Sequence, residues 1–414
     1  MHSGRALNTV ASLVPRVYIQ IFTASIGMGM LVPTLPLFVA DLVRDPVTGE
    51  ENITLVGLAL GMAALGTLLW TLPSGLLLNR ISEWVGQVVG LIVMATAVLV
   101  LALSPPYSVL IVARLLMGAG MGLWALSRMQ YMRRVTPRHQ RGRIMSLFGG
   151  TNRIGMFVGP GVGGFVAGTL GYEAMFLIAG ACMAVGLIPG LAYRDAPDNE
   201  KASTQSAISL LRGLGETLMS RRRVLFTAGI GHIFAQAIRS GRPVVLPLYG
   251  AFALGLNEQE IGLAVSASAA VDMTLFPLAG YLMDHFGRKF AIVPSFALFS
   301  ASMALLSQAR DFTGLILIGL LIGFSNGIGS GSMLTLGTDL TPSERPGEFL
   351  AVWRLVGGIG DMGGPVVVGG VADVFGLMLA PFFVAALGLC GALTFGLFVP
   401  ETLEKRSTVP GAEP

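Results

Sequence analysis

GYLMDHFGRK, residues 280–289, separates two apolar runs near 259–282 and 290–308, and a related stretch, GLLLNRISEW, stands at residues 75–84, 205 positions earlier. In the later stretch Gly280 lets helices pack closely, Asp284 sits at a helix end, and Arg288 and Lys289 follow in a tight turn. The same offset of 205 joins Gly75 to Gly280, Thr136-Pro137 to Thr341-Pro342, Gly142 to Gly347, Gly155 to Gly360, Gly159-Pro160 to Gly364-Pro365 and Gly171 to Gly376. One such match means little in a glycine-rich chain, but a constant spacing across three loops and two apolar runs means a duplicated unit. Near the start Leu35-Pro36-Leu37 matches Leu246-Pro247-Leu248 at an offset of 211, so the first outer loop is six residues longer in the first copy.

Working outward, apolar runs long enough to span a bilayer, about 20 residues each, fall near 17–40, 54–78, 86–104, 107–131, 144–170, 173–193, 224–250, 259–282, 290–308, 312–336, 348–372 and 377–399. The expected organisation is therefore twelve transmembrane helices: a first six-helix bundle over 1–193, a cytoplasmic linker over 194–222, and a second bundle over 223–414. Within the linker, the spacing of Ile208, Leu211 and Leu214 predicts an amphipathic helix over Ala207 to Met219 lying on the membrane surface. Only 12% of residues are charged and 53% are hydrophobic, with a mean hydropathy of +0.73. Soluble domains carry about 25% charge, so lipid is the solvent for most of this surface.

The net charge of +4 reports topology rather than nucleic-acid binding. With both termini placed in the cytoplasm, 20 of the 27 Lys and Arg fall in cytoplasmic segments and two, Arg44 and Arg310, in outer loops. The expected location is the cell (inner) membrane, with several passes. Cys182 and Cys390 lie in apolar runs without metal-ligand spacing, so neither a disulfide nor a metal site is expected. The N-terminus does not read as a cleaved signal peptide. No nucleophile–base set or phosphate-cradling loop points to an enzyme, and no cofactor is expected.

The motifs resemble the major facilitator superfamily, and the resemblance runs through essentially the whole chain. GYLMDHFGRK is similar to that family's G-x-x-x-D-(R)-x-G-R-K loop, with His285 at the arginine position. The resemblance implies a cluster that latches the halves and responds as they rock. In the first copy Asn79 replaces the acid, Arg80 is kept, and Ser82, Glu83 and Trp84 replace Gly and two basic residues. A weakened first latch is expected, with Asp284 and Arg288 carrying more of the gating. GMFVGPGVGG fits G-x-x-x-G-P-x-x-G-G at Gly155, Gly159, Pro160, Gly163 and Gly164, a pattern associated in the family with twelve-span drug–proton antiporters. Glycines four apart make a flat helix face, and Pro160 permits a kink. RLLMGAGMG from Arg114 and GMLVPTLP from Gly29 resemble further family patterns, the latter without an acid.

Seven full charges fall well inside the predicted spans, away from their ends: Arg114, Arg153, Arg239, Arg242, Arg354, Asp272 and Asp361. Each costs about 2.5–3.5 kcal/mol at a helix centre on insertion scales, so each should face protein or water. Depths counted along the helices put Arg153 at roughly 15 Å and Asp272 at roughly 18 Å from the cytoplasmic end, and Asp361 and Arg239 at roughly 21 and 24 Å. In the family spans five and eight meet between the halves and spans seven and eleven are neighbours. Arg153–Asp272 and Arg239–Asp361 are therefore the expected pairs, with proton coupling at either aspartate; Arg114 and Arg354 complete the set. Arg242 is within reach of the outer surface. His232, Gln236 and Arg239 form one polar stripe on span seven. The resemblance implies that spans one, four, seven and ten line the cavity, making Gln20, Phe22, Met28, Met30, Trp124, His232, Phe234, Gln236, Phe324, Ser325 and Asn326 the candidate substrate contacts.

The expected fold is an all-α membrane protein of the major facilitator type, two pseudo-symmetric six-helix bundles acting as a monomer. The expected function is proton-coupled efflux of small amphipathic, drug-like molecules, driven by the proton gradient. Two alternatives stand beside it: a symporter or facilitator for a polar nutrient such as a sugar or organic acid, and a non-transporting membrane sensor or assembly partner.

Overall fold

The computed structural model describes residues 2–403 apart from 48, 50, 137–140, 192–206 and 345. The expected linker residues 194–206, Pro137, Arg345 and the tail bearing Lys405 and Arg406 lie outside the described residues. Among the described residues the chain is helical, with no strand.

Among the described residues ten helices are long and apolar enough to cross a membrane. One of them, Ser146–Pro189, holds both span five and span six, because the helix Arg141–Val185 runs on through a bend at Gly171. A further helix, Arg222–Leu248, has the length of a span, but His232, Gln236, Arg239 and Arg242 dilute its apolar character. Together these give the twelve spans. Gly171 and Gly376 both take positive φ, 84° and 88°, which only glycine adopts without strain. Two residues 205 apart thus make the same turn before spans six and twelve. Span ten departs from expectation: its helix stops at Ile328, turns at Gly331 with φ of 78°, and restarts as Ser332–Asp339.

The repeat is also a repeat of packing. A Cβ at Gly155 would stand 2.5 Å from Ser25 and one at Gly159 2.6 Å from Gly29, so span five lies directly on span one. Their counterparts Gly360 and Gly364 meet Ile233, Gln236, Ala237 and Ser240, so span eleven lies on span seven in the same way. Such close approach lets backbone dispersion replace side-chain packing, as lipid offers no hydrophobic drive between helices.

The halves touch along the end opposite the termini, hereafter the far end. Gly57 and Gly61 of span two sit against Pro365 and Met362 of span eleven, and Gly164 of span five against Glu258 and Gly262 of span eight. Asp373 caps span two, accepting from the backbone N–H of Ile53 at 2.7 Å and of Thr54 at 2.8 Å. Toward the end bearing the termini, Gly149, Gly150, Gly280 and Gly347 face open space. The helix Ala207–Ser220 sets Gly213 against the Glu348 side chain at the start of span eleven, so it packs on the bundle on that side.

Candidate functional site

A cavity of about 510 Å³ lies between the halves. Spans one, two, four and five supply one wall and spans seven and eleven the other. Met28, Met117, Met121 and Met156 line it together with leucines of spans one and two; the ionisable groups on the wall are Arg114, Arg354 and Asp361. Pro365 and the Gly57–Gly61 contacts roof it at the far end.

The expected substrate contacts separate sharply. Met28 lines the cavity. Gln20, Met30 and Trp124 do not: at 0%, 0% and 2% exposure they are enclosed in the first bundle. Phe22 backs onto Gly155, and Phe234 faces Gly391 of span twelve. His232 stacks on Trp353 with ring centres 4.4 Å apart. Ser325 is buried, its carbonyl accepting from the Ser295 hydroxyl at 2.7 Å. Phe324 is 42% exposed and corrects the expectation outright, because a helix turns its face by 100° per residue and its neighbours Ser325 and Asn326 point inward.

The ionised groups form a relay. Arg153 Nη1 lies 3.6 Å from Asp272 Oδ1, Nη2 donates to the Ser330 hydroxyl at 2.8 Å, and the guanidinium covers the Phe276 ring at 4.3 Å. The pair crosses from one half to the other. Asp272 Oδ2 accepts from the Asn326 amide at 3.1 Å, and Asn326 Oδ1 accepts from Arg239 Nε at 3.0 Å. Arg239 does not meet Asp361 directly, which corrects the second expected pair. Gln236 stands between them, accepting from Arg239 Nη1 at 3.3 Å and donating to both Asp361 oxygens at 3.0 and 3.1 Å. An amide presents a donor and an acceptor at once, so it can join a cation to an anion. The relay therefore leads from the cavity wall to the seam between the halves.

Among the described residues Arg114, Arg354 and Arg242 are in no ion pair. Arg114 donates to the Ala59 and Leu60 carbonyls at 3.1 and 3.5 Å and to the Met117 sulfur. Arg354 makes no hydrogen bond or ion pair within the described residues. Arg242 is not at the outer surface; it lines a small void with Pro243 and Ser268. Arg128, near the C-terminal end of span four, is held over the Trp124 and Phe148 rings at 3.9 and 4.7 Å.

The span-five motif makes contacts in both directions. Gly155, Gly159 and Gly163 face span one, the last against Met30, whereas Gly164 faces span eight. Beside Pro160, Ser266 of span eight accepts from the Gly161 N–H at 2.7 Å and donates to the Phe157 carbonyl at 2.8 Å. Those two groups are the donor and acceptor that a regular helix would pair with each other, i to i−4. A hydroxyl from one half thus completes the backbone ladder of the other.

The loop after span eight ties its own half together. Arg288 bonds Asp284 at 3.1 Å and Asp339 at 2.8 Å, and the Asp339 bond raises the guanidinium further above its already high range. Burial pushes the Glu401 carboxyl up, but the N–H groups of Leu403, Arg288, Lys289 and Thr402 outweigh it and hold it below the usual carboxylate value. Asn79 and Arg80 stand in a tight turn, their N–H groups bonded to Leu76 and Leu77. The first copy is not simply weakened, however. Glu83 meets Arg134 at 2.7 Å, and these are the positions 205 before Arg288 and Asp339. The same bridge is built with its charges exchanged.

Fold and site define a polytopic membrane protein of two bundles around a central cavity. The chain belongs to the Major Facilitator Superfamily, whose family model matches residues 17–241 and 228–414, and is a transporter rather than an enzyme. It is 23% identical to the quinolone resistance protein NorA of Staphylococcus aureus (strain COL), over 89% of this chain and 91% of that protein. It is 22% identical to the uncharacterized MFS-type transporter MJ1560 of Methanocaldococcus jannaschii, over 87% and 91%. Among solved structures, a D-xylose-proton symporter superposes with a TM-score of 0.76 at 17% identity, covering 94% of this chain and 98% of that one. The nucleoside transporter NupG gives 0.75 at 14%, covering 93% and 98%.

Proposed function

We propose that this transporter exports small amphipathic molecules in exchange for protons, by alternating access, and that both termini lie in the cytoplasm of a cell whose inner membrane it spans. On that orientation the structure is the state open to the cytoplasm, with the far-end contacts as its closed outer gate. The observation that carries the reading is the cavity itself: methionine and leucine walls that yield to varied apolar shapes, with Asp361 in the wall. The span-five motif, here a seam between the halves, and the likeness to a quinolone resistance protein support the export direction.

In this mechanism a proton reaching Asp361 removes the charge that Gln236 solvates. Gln236, no longer held by an anion, shifts together with the carbonyl that accepts from Arg239, the Arg239–Asn326–Asp272 links readjust, and the Arg153–Asp272 bridge between the halves loosens. Ligand and proton act on one relay, so each is released when the other enters. A polar nutrient fits less well, because the wall is mostly apolar and the hydroxyl protons of Thr67 and Thr71 in span two are already donated to helix carbonyls, leaving only their oxygens as acceptors. A transport-dead sensor rested on a degraded first loop, and the Glu83–Arg134 bridge removes that reason.

The test is accumulation of a fluorescent amphipathic dye in cells making the wild type or Asp361→Asn. The wild type is expected to lower accumulation until a protonophore is added, and the variant to match empty cells throughout. Wild-type exclusion that survives the protonophore overturns proton coupling.

A further inference from the structure

We infer that the cavity selects amphipathic molecules that carry an anionic group, and that Arg354 at its mouth is the residue that reads it; this rests on the efflux reading above. The charge balance of the wall comes first. Two guanidiniums, Arg114 and Arg354, face one carboxylate, Asp361. That carboxylate is occupied, both of its oxygens accepting from Gln236. Arg114 is occupied as well, by the Ala59 and Leu60 carbonyls. Of the two guanidiniums on the wall, Arg354 is the one without a hydrogen bond or ion pair among the described residues, eight residues into span eleven.

The opposite wall cannot supply a partner. Span two, Ile53–Leu77, contains no acidic residue, and span four, Tyr107–Val135, contains none either. Span two is the element that faces Arg354's end of span eleven: Leu68 already touches Gly358, one turn further along. When the mouth closes, span two presents Leu68, Thr71 and apolar neighbours to this guanidinium. A cation stripped of water without a counter-charge is strongly disfavoured, so closure is favoured by a ligand that carries the counter-charge in. A carboxylate, sulfonate or phosphate suits the planar fork of arginine, and the apolar body then extends toward the methionines. Asp361 lies seven residues deeper on the same helix, about 10 Å at the helical rise, too far to compete for Arg354.

The test uses three probes sharing one naphthyl-alkyl body and ending in a carboxylate, a primary amide or a trimethylammonium group. Their efflux and binding are measured with purified wild type, Arg354→Gln and Arg354→Lys in proteoliposomes. The wild type is expected to favour the carboxylate over the amide about tenfold or more, the scale of a charge-assisted bond. Arg354→Gln should bring the ratio of carboxylate to amide efflux down to about one, and Arg354→Lys should keep part of the preference. A wild type that moves the amide and the cation at least as well as the carboxylate overturns this inference and leaves the efflux reading standing. Equal loss of all three probes in Arg354→Gln, with normal folding, also overturns it. A wild type that moves none of them overturns both.

Discussion

Replacing Gly164 with alanine should push the transporter toward the state open at the far end. A Cβ there would lie 2.3 Å from the Glu258 carbonyl oxygen and 2.9 Å from the Gly262 Cα, whereas ordinary contacts are about 3.5 Å. Both neighbours are backbone, so neither can swing away, and the helices must part by about 1 Å. Overpacking of this kind costs about 1–3 kcal/mol. The cost falls only on the state in which spans five and eight are pressed together at this level. The equilibrium between states therefore moves by about 5–150-fold. The adjacent Gly163 provides the control: its Cβ would meet Met30 at 2.5 Å, inside one half, so Gly163→Ala strains both states alike. Spin labels at Thr169 and Arg310, on the far end of each half, report the separation by pulsed electron resonance. Gly164→Ala should raise the long-distance population and Gly163→Ala should lower thermal stability without doing so. Unchanged distances in a folded Gly164→Ala, or the same shift in both variants, would refute the assignment of this motif to the seam.

Three further outcomes follow from the geometry. Exchanging the charges as Glu83→Arg with Arg134→Glu should recover the thermal stability that either single change lowers by roughly 1 kcal/mol, the ceiling for a partly exposed pair; a double variant no better than the singles contradicts the inverted bridge. Arg153→Asp and Asp272→Arg should each abolish most transport while the double exchange restores part of it. Because these side chains keep 26% and 20% exposure, the stability cost of one change should fall below the about 3–5 kcal/mol of a fully buried pair, and a double variant as inactive as the singles refutes the pairing. Glu401→Gln should destabilise the second half near neutral pH. A carboxyl held below its usual value contributes stability above the ordinary carboxylate pKa and loses it as pH falls through the lowered one, so wild type and variant should converge in acid; a gap in melting temperature that persists there contradicts the role given to Glu401.

The fold was legible because lipid enforces it: apolar runs, the bias of Lys and Arg, and glycines repeating every 205 positions each record a packing need that sequence states directly. Span seven shows the limit of composition alone, since its polar stripe makes the helix look less like a span. The site was legible only in part. Helical depth brought Arg153 and Asp272 to one level, yet depth says nothing about rotation, and rotation turns Phe324 outward and places Gln236 between Asp361 and Arg239. The first-copy loop looked degraded because a motif specifies signs, whereas a salt bridge requires only opposite ones; Glu83 and Arg134 satisfy it in reverse. Arg354 was found by its position, but the role proposed for it depends on the lack of any acid on spans two and four across the cavity. Ser266 carried no signal in the sequence, because one serine in an apolar span means little until it stands opposite the backbone groups beside a proline.

Simultaneous recording of proton and ligand flux in proteoliposomes under an imposed pH gradient addresses the central claim. With the wild type, adding an amphipathic ligand on the side opposite the protons should start proton movement, the two fluxes running in opposite directions at a fixed ratio, and Asp361→Asn should abolish both the proton flux and uphill ligand movement. Ligand accumulation against its gradient without proton movement, or the two moving in the same direction, would contradict the account.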